Sequence, residues 1–213
     1  MTCLGLKTDL ASRGMRAANY WQFDSYDFER MYSKLRESAT IEPHAAYITS
    51  ASLKDPSATH HAPDGIQTVE IMTIVSGRPE LWHVDPSEIA SGRYKKNPHY
   101  QTVKRRTEST LVDRLNQLFP GTKDTIVFQE SSTPATHTRY TWATGGTGYG
   151  IAASADQFMK NRPGYRGPVD DLYLCGASTR AGHGIVGAMT SGYFAASCLA
   201  KDMGRTLPAV LSG

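Results

Sequence analysis

The sequence predicts a mixed α+β protein whose first part is an antiparallel sheet with helices on one side. Three observations carry that reading. The stretches "AAYITSAS" (45–52), "IQTVEIMTIV" (66–75) and "DTIVFQESS" (124–132) have the alternation or β-rich composition of strands. Amphipathic helical patterns are interleaved with them, and such a mixture packs helices on one face of a sheet. The last third is organised differently. "DDLYLCGASTRAGHGIVGAMTSGYFAASCLAKD" (170–202) sets an apolar run, a glycine-dotted loop and a small-residue helix in that order.

Taken along the chain, the opening "MTCLGLKTDLASRGM" shows no helix cap and no strand pattern, so no first strand is expected there. "SYDFERMYSKLRES" (25–38) predicts a helix capped by Ser25, with Phe28, Tyr32 and Leu35 as its apolar stripe. After the strand at 45–52, "KDPSATHHAPDG" (54–65) holds two prolines and ends in Asp-Gly, so it is a loop. The next strand, 66–75, turns Val69, Ile71 and Thr73 to one face. Residues 97–121 contain a long helix with Val103, Leu111, Leu115 and Leu118 inside, stopped by Pro120-Gly121. Beyond the strand at 124–132, Thr133 before Pro134 starts a helix. The glycine turn "GGTGYG" (145–150) is flanked by Tyr140, Trp142 and Tyr149, three aromatics expected to pack in a core. "DLYLCG" (171–176) predicts a short buried strand, and 186–201 the last helix. The domain boundary is placed near residue 133, giving 1–132 and 133–213.

Composition narrows the function. The net charge is +3, from 23 Lys and Arg against 20 Asp and Glu, which is no footprint for nucleic acid. Lys104-Arg105-Arg106 lies in a helical pattern and marks a solvated face. Cys3, Cys175 and Cys198 are odd in number and far apart, which excludes zinc-finger and dithiol spacings and fits reduced structural thiols. His60-His61 lacks a third ligand at metal-site spacing, so no metal is expected. There is no Gly-x-Ser-x-Gly elbow for a hydrolase nucleophile. Neither a secretory pattern nor an apolar run of about 18 residues occurs, so the expected location is the cytoplasm, with membrane association left open.

The glycine loop is where chemistry can sit. A strand ending in Gly176 and feeding a helix exposes backbone N–H groups, and the helix N-terminus adds roughly half a positive charge. Such a place suits a phosphate or another electron-rich oxygen. Gly182 and Gly184 permit unusual φ values and close ligand approach. Within the helix, Gly187, Ser191 and Ala195 form one small-residue row, and Ala188, Gly192 and Ala196 another. Gly187 is expected to face a flat ring, with Ser191 a packing residue whose loss is mild.

"LYLCGASTRAGHGIVGAMTSGYFAA", Leu172 to Ala196, resembles the C-terminal signature of FAD-dependent oxidoreductases of the phytoene-desaturase and carotenoid-isomerase-like group, within the flavin amine-oxidase superfamily. "DPSATHHAPDG" and "GYRGPVDDLYLCG" are similar to further motifs of that group, whereas Arg180-Ala181 stands where it often has His-Pro. The resemblance implies that 1–132 is the C-terminal part of a substrate-binding domain and 133–213 the C-terminal strand–loop–helix of a Rossmann-like FAD-binding domain. It implies FAD contacts from Gly176, Ala177, Ser178, Gly184, Ile185, Val186, Gly187 and Ala188, and substrate contacts from His183 and Tyr149. No residue stands out as a general base; the flavin carries the chemistry.

The dinucleotide loop such an enzyme needs is not found within the chain. The nearest match, Gly148-Tyr-Gly150-Ile-Ala-Ala153, follows no buried strand, and Asp170-Asp171 precedes a strand where the ribose-binding acid should follow one. The FAD site is therefore incomplete here, and the expected partner is an N-terminal FAD-binding half on other sequence. The implied reaction is desaturation, saturation or isomerisation at C–C bonds of an apolar, isoprenoid- or carotenoid-like substrate. The alternative is a non-catalytic fragment whose small-residue helix docks on a protein partner or a second copy.

Overall fold

The computed structural model describes residues 1–152 and 154–207. Ala153, the last residue of the rejected glycine motif, and 208–213, the end of the expected second domain, lie outside the described residues. The chain divides into two compact units, Met1–Gly146 and a second that starts at Thr147. The helix after Thr133 therefore belongs to the first compact unit.

That unit holds a five-stranded antiparallel sheet, so the fold is α+β with strand order β2-β3-β4-β1-β5. The strands are β1 (Thr2–Leu6), β2 (Tyr20–Phe23), β3 (Ala45–Thr49), β4 (Gln67–Met72) and β5 (Ile126–Ser131). The three strands expected from alternation are present. The expectation of no first strand is corrected, because β1 is an interior strand that pairs with β4 on one side and β5 on the other. Its signal is three alternating residues, Thr2, Leu4 and Leu6, all buried. Gly5 between them lets the chain run close to β5, since a Cβ there would lie 3.2 Å from that of Phe128. Cys and Gly are weak strand formers, and the pairing on both sides is what makes this segment extended.

Five helices complete the unit. In α1 (Phe28–Glu37) the cap is Asp27, whose carboxylate accepts from the Arg30 N–H, and the Ser25 hydroxyl instead accepts from the Asp27 N–H. The expected stripe is also corrected: Met31 is buried, while Phe28 and Tyr32 are exposed. A short helix, α2 (Ala51–Lys54), takes the end of the expected 45–52 strand, because the Ser50 hydroxyl caps it by accepting from the Leu53 N–H. Next come α3 (Pro86–Ser91), α4 (Pro98–Leu118) and α5 (Pro134–Thr141). The Asn97 side chain caps α4, and Thr133 caps α5 as the sequence predicts.

α4 serves two cores. Its C-terminal half places Leu111, Val112 and Leu115 against Leu4, Leu6, Ile48, Val69 and Ile71. Its N-terminal half places Tyr100 and Val103 with Trp82, Ile89, Tyr94 and Ala135. Leu118 stays 39% exposed, and Phe119 takes the inner position, edge-on to the Tyr20 ring at 5.0 Å. The opposite sheet face carries Trp21, Phe23 and Tyr47, with Trp21 and Phe23 stacked at 6.0 Å and both exposed.

The second unit contains short 3-10 turns at Ala155–Gln157 and Met159–Asn161 and one long helix, α6 (Gly184–Asp202). The buried strand expected over 171–176 is not formed. Tyr173 makes an isolated bridge to Arg166, while Leu172 and Cys175 are exposed. A strand needs neighbours to satisfy its backbone, and among the described residues this unit has no strand to offer. The three cysteines are free, and no helix among the described residues is long and apolar enough to cross a membrane.

The interior position of β1 has a measurable consequence. Leu6→Ala, at a fully buried site, should lower stability by about 2–5 kcal/mol. Leu118→Ala, at the exposed end of α4, should stay within about 0.5 kcal/mol of wild type. Urea midpoints of the two variants check this, and equal shifts would contradict the assignment of the core.

Candidate functional site

The glycine loop, 176–183, is held from below by side chains that point at its backbone. Ser191, fully buried on α6, accepts the Gly176 N–H at 2.6 Å and donates to the Ala188 carbonyl at 2.6 Å. Buried Thr179 closes the next turn, with its hydroxyl and its N–H both donating to the Gly176 carbonyl at 2.8 and 3.1 Å. The Gly182 N–H then donates to the Thr179 carbonyl at 3.0 Å. Ser178 reaches sideways and accepts the Ile151 N–H at 3.3 Å. The loop is thus tied both to α6 and to the segment after the glycine turn.

Three glycines shape the upper side. Gly176, Gly182 and Gly184 have φ of +103°, +86° and +81°, and a Cβ at each would meet open space. A side chain at any of them would strain the backbone, so the loop keeps free space at each. α6 begins at Gly184, and its N-cap residue, His183, makes no side-chain cap hydrogen bond. The first N–H groups of the helix are left without an intrahelical partner.

Gly187 behaves differently from its sequence expectation. A Cβ there would lie 2.8 Å from the Gly182 carbonyl oxygen, so the space beside it holds the loop backbone and not a ring. The row Gly187, Ser191, Ala195 is the inner face of α6, with Ser191 and Ala195 buried. Ala188 and Gly192 are half-buried and Ala196 is exposed.

Of the cofactor-contact residues implied by resemblance, Gly176, Ala177 and Ser178 form the start of the loop, and Gly184, Ile185, Val186, Gly187 and Ala188 the first turn of α6. Ile185 and Val186 are 81% and 78% exposed, an unusual placement for branched apolar side chains. Met189 continues that exposed face. Tyr149 and His183, far apart in sequence, come together with ring centroids 4.9 Å apart. Tyr140, Trp142 and Tyr149 are all exposed, which corrects the expectation that they pack in a core. Trp142 lies at the αL end of α5, where its side chain rims an apolar recess of about 450 Å³ floored by Trp82, Ile89 and Ala135.

At the far end of α6, Arg166 donates Nε and Nη2 to the two carboxylate oxygens of Asp202 at 2.9 and 2.7 Å, and the Tyr173 hydroxyl donates at 2.8 Å. These bonds, that from Arg166 foremost, hold the Asp202 carboxyl below its usual range. The residues sequence reasoning missed are Arg162, Thr179 and the polar role of Ser191. The first arginine of "KNRPGYRG" and a serine in a small-residue row carry no local pattern.

No family model matches the chain. Similarity to individual proteins does exist. The chain is 28% identical to the prolycopene isomerase of Arabidopsis thaliana over 165 residues, 76% of this chain and 25% of that protein. It is 28% identical to the prolycopene isomerase of Daucus carota over 159 residues, 71% of this chain and 26% of that protein. The chain is a sequence relative of the prolycopene isomerases. It also aligns with the all-trans-retinol 13,14-reductase of Danio rerio, at 24% identity over 96% of this chain and 33% of that protein. The chain spans about a quarter of the length of the prolycopene isomerases it matches. The carotenoid-isomerase-like resemblance of residues 172–196 is in line with this relationship.

Two substitutions test how the loop is built. Ser191→Ala leaves the Gly176 N–H without its partner and should cost about 1–3 kcal/mol. Gly187→Ala drives a methyl into the Gly182 backbone and should cost about 1–3 kcal/mol. Hydrogen exchange should show both losses in residues 176–200, with the sheet amides of the first unit unchanged. Wild-type protection of α6 in either variant would contradict this construction.

Proposed function

We propose that this chain is part of an FAD-dependent oxidoreductase that acts on C–C bonds of an apolar, polyene-like substrate, and that the 176–188 segment meets the flavin. The observation that carries the reading is the upper side of the glycine loop. Three positive-φ glycines open onto empty space beside an uncapped helix N-terminus, with Ile185 and Val186 exposed on its first turn. Backbone N–H groups beside apolar side chains suit the pyrimidine edge and the flat face of an isoalloxazine, so the residues present fit the group. A bound flavin would supply hydride or electron transfer. The chain's part is to orient the ring and to favour negative charge at its pyrimidine edge through the helix N-terminus. The similarity to prolycopene isomerases and to an all-trans-retinol 13,14-reductase supports a polyene substrate, whether the bond order changes or only the geometry. His183 and Tyr149, paired beside the loop, are the proposed substrate contacts.

Two features support an FAD site completed by other sequence. The sequence carries no dinucleotide loop, and residues 171–176, apolar in pattern, make only an isolated bridge at Tyr173 with no sheet among the described residues of their unit. The ADP half of FAD would then be held by an N-terminal half beyond residues 1–213. The exposed row Ile185, Val186, Met189 also favours a second reading, a non-catalytic module that docks α6 on a protein or on its own copy.

The chain alone separates the two. FAD and FMN should bind weakly and with affinities within about threefold of each other, because no contact to the ADP half is available. Both should shift the amide resonances of residues 176–188. Strong preference for FAD would contradict the half-site. No shift at 176–188 with either flavin would favour the docking module.

A further inference from the structure

Arg162 is 4% exposed, and its guanidinium meets no carboxylate among the described residues. It meets five backbone carbonyls instead. Nε donates to Thr179 O at 3.1 Å and Nη2 to Ala177 O at 2.7 Å, both in the glycine loop. Nη2 also donates to Ile151 O at 3.3 Å, and Nη1 to Ala152 O at 3.5 Å and Gln157 O at 3.3 Å. These three carbonyls lie in the segment that follows the Gly145–Gly150 turn. The next residue continues the tie, as the Pro163 carbonyl accepts the Arg180 N–H at 3.1 Å.

A buried charge without a counter-ion is costly, and a loop could be pinned by neutral groups at less cost. What arginine alone offers is five N–H donors in one rigid plane, matched here to five acceptors on two separate segments. A lysine has three donors on a flexible stem and cannot span them. The acceptors Ala177 and Thr179 flank Ser178, and their carbonyl oxygens are both taken by this buried guanidinium. Carbonyl oxygens held by a buried side chain are not free to turn toward a ligand on the loop's solvent side.

We propose that Arg162 is the positioning residue of the glycine loop: it fixes the carbonyls of Ala177 and Thr179 inward and thereby keeps the loop in the form that accepts the flavin. The loop-holding part stands on the geometry, and the flavin part rests on the function proposed above. Arg162 touches no cofactor in this scheme.

The test uses the 213-residue chain as wild type, Arg162→Lys and Arg162→Ala, with FMN as the probe. In Arg162→Ala, amide exchange over residues 177–182 should quicken and FMN affinity should fall, each by roughly tenfold or more. Low-millimolar guanidinium should restore both, and methylammonium at equal ionic strength should restore neither. Arg162→Lys should keep the unit folded and recover only part of the affinity. Unchanged exchange at 177–182 in Arg162→Ala overturns the proposal. So does a loss that guanidinium does not restore while the second unit stays folded in Arg162→Lys with full affinity. Faster exchange with wild-type FMN affinity would reduce Arg162 to a structural residue and equally overturn its positioning role. A wild-type chain that binds no FMN sinks the flavin reading and, with it, the flavin part of the proposal. The loop-holding part is still decided, because exchange and its rescue are read without flavin.

Discussion

The pairing of β1 with a neighbour on each side is the constraint on which the first unit rests. Five residues join β5 to β4, and through β4 to the rest of the sheet. Register matters because side chains alternate: a slip by one residue would carry Leu4 and Leu6 to the open face and Cys3 to the core. The buried hydrogen bond between the Thr2 and Ser131 hydroxyls, 2.8 Å long, fits only this register. α4 then has a floor to pack on, and its other half carries the second core around Trp82.

The second unit is built on a different principle. It has no sheet among its described residues and little apolar burial, and its order comes from polar ties to backbone. Ser191, Thr179 and Arg162 hold the loop by its own N–H or C=O groups, and Ser178 ties it to the Ile151 N–H. Small residues make this possible: Gly187 and Ala195 bring α6 close enough for the Ser191 hydroxyl to reach the Gly176 N–H. The exposed apolar residues Leu172, Ile185, Val186 and Met189 mark the surface that this economy leaves uncovered.

These two constructions give the two units different surface chemistry. The sheet presents an aromatic face at β2 and β3, where Trp21 meets both Phe23 and Tyr47. The loop presents backbone N–H groups and glycine-lined space beside branched aliphatics.

Several elements were determined by the sequence alone. Periodicity located β3, β4, β5 and α4, because repeated contact with one core imposes repeated apolar spacing. The Thr133-Pro134 start of α5 was legible because capping is a local interaction. The order of glycine loop and small-residue helix was legible too, since glycines that need positive φ must be written into the chain. Only the tertiary structure decided that Thr2–Leu6 is an interior strand, because its extended form comes from neighbours and not from its own residues. The same holds in reverse for 171–176, whose strand-like pattern lacks a sheet to join. It also decided that Phe28 and Tyr32 stay outside, that Gly187 packs on Gly182, and that Arg162 gathers five carbonyls. Each of these depends on what lies across space from the residue, and that is set by the packing of distant segments rather than by local pattern.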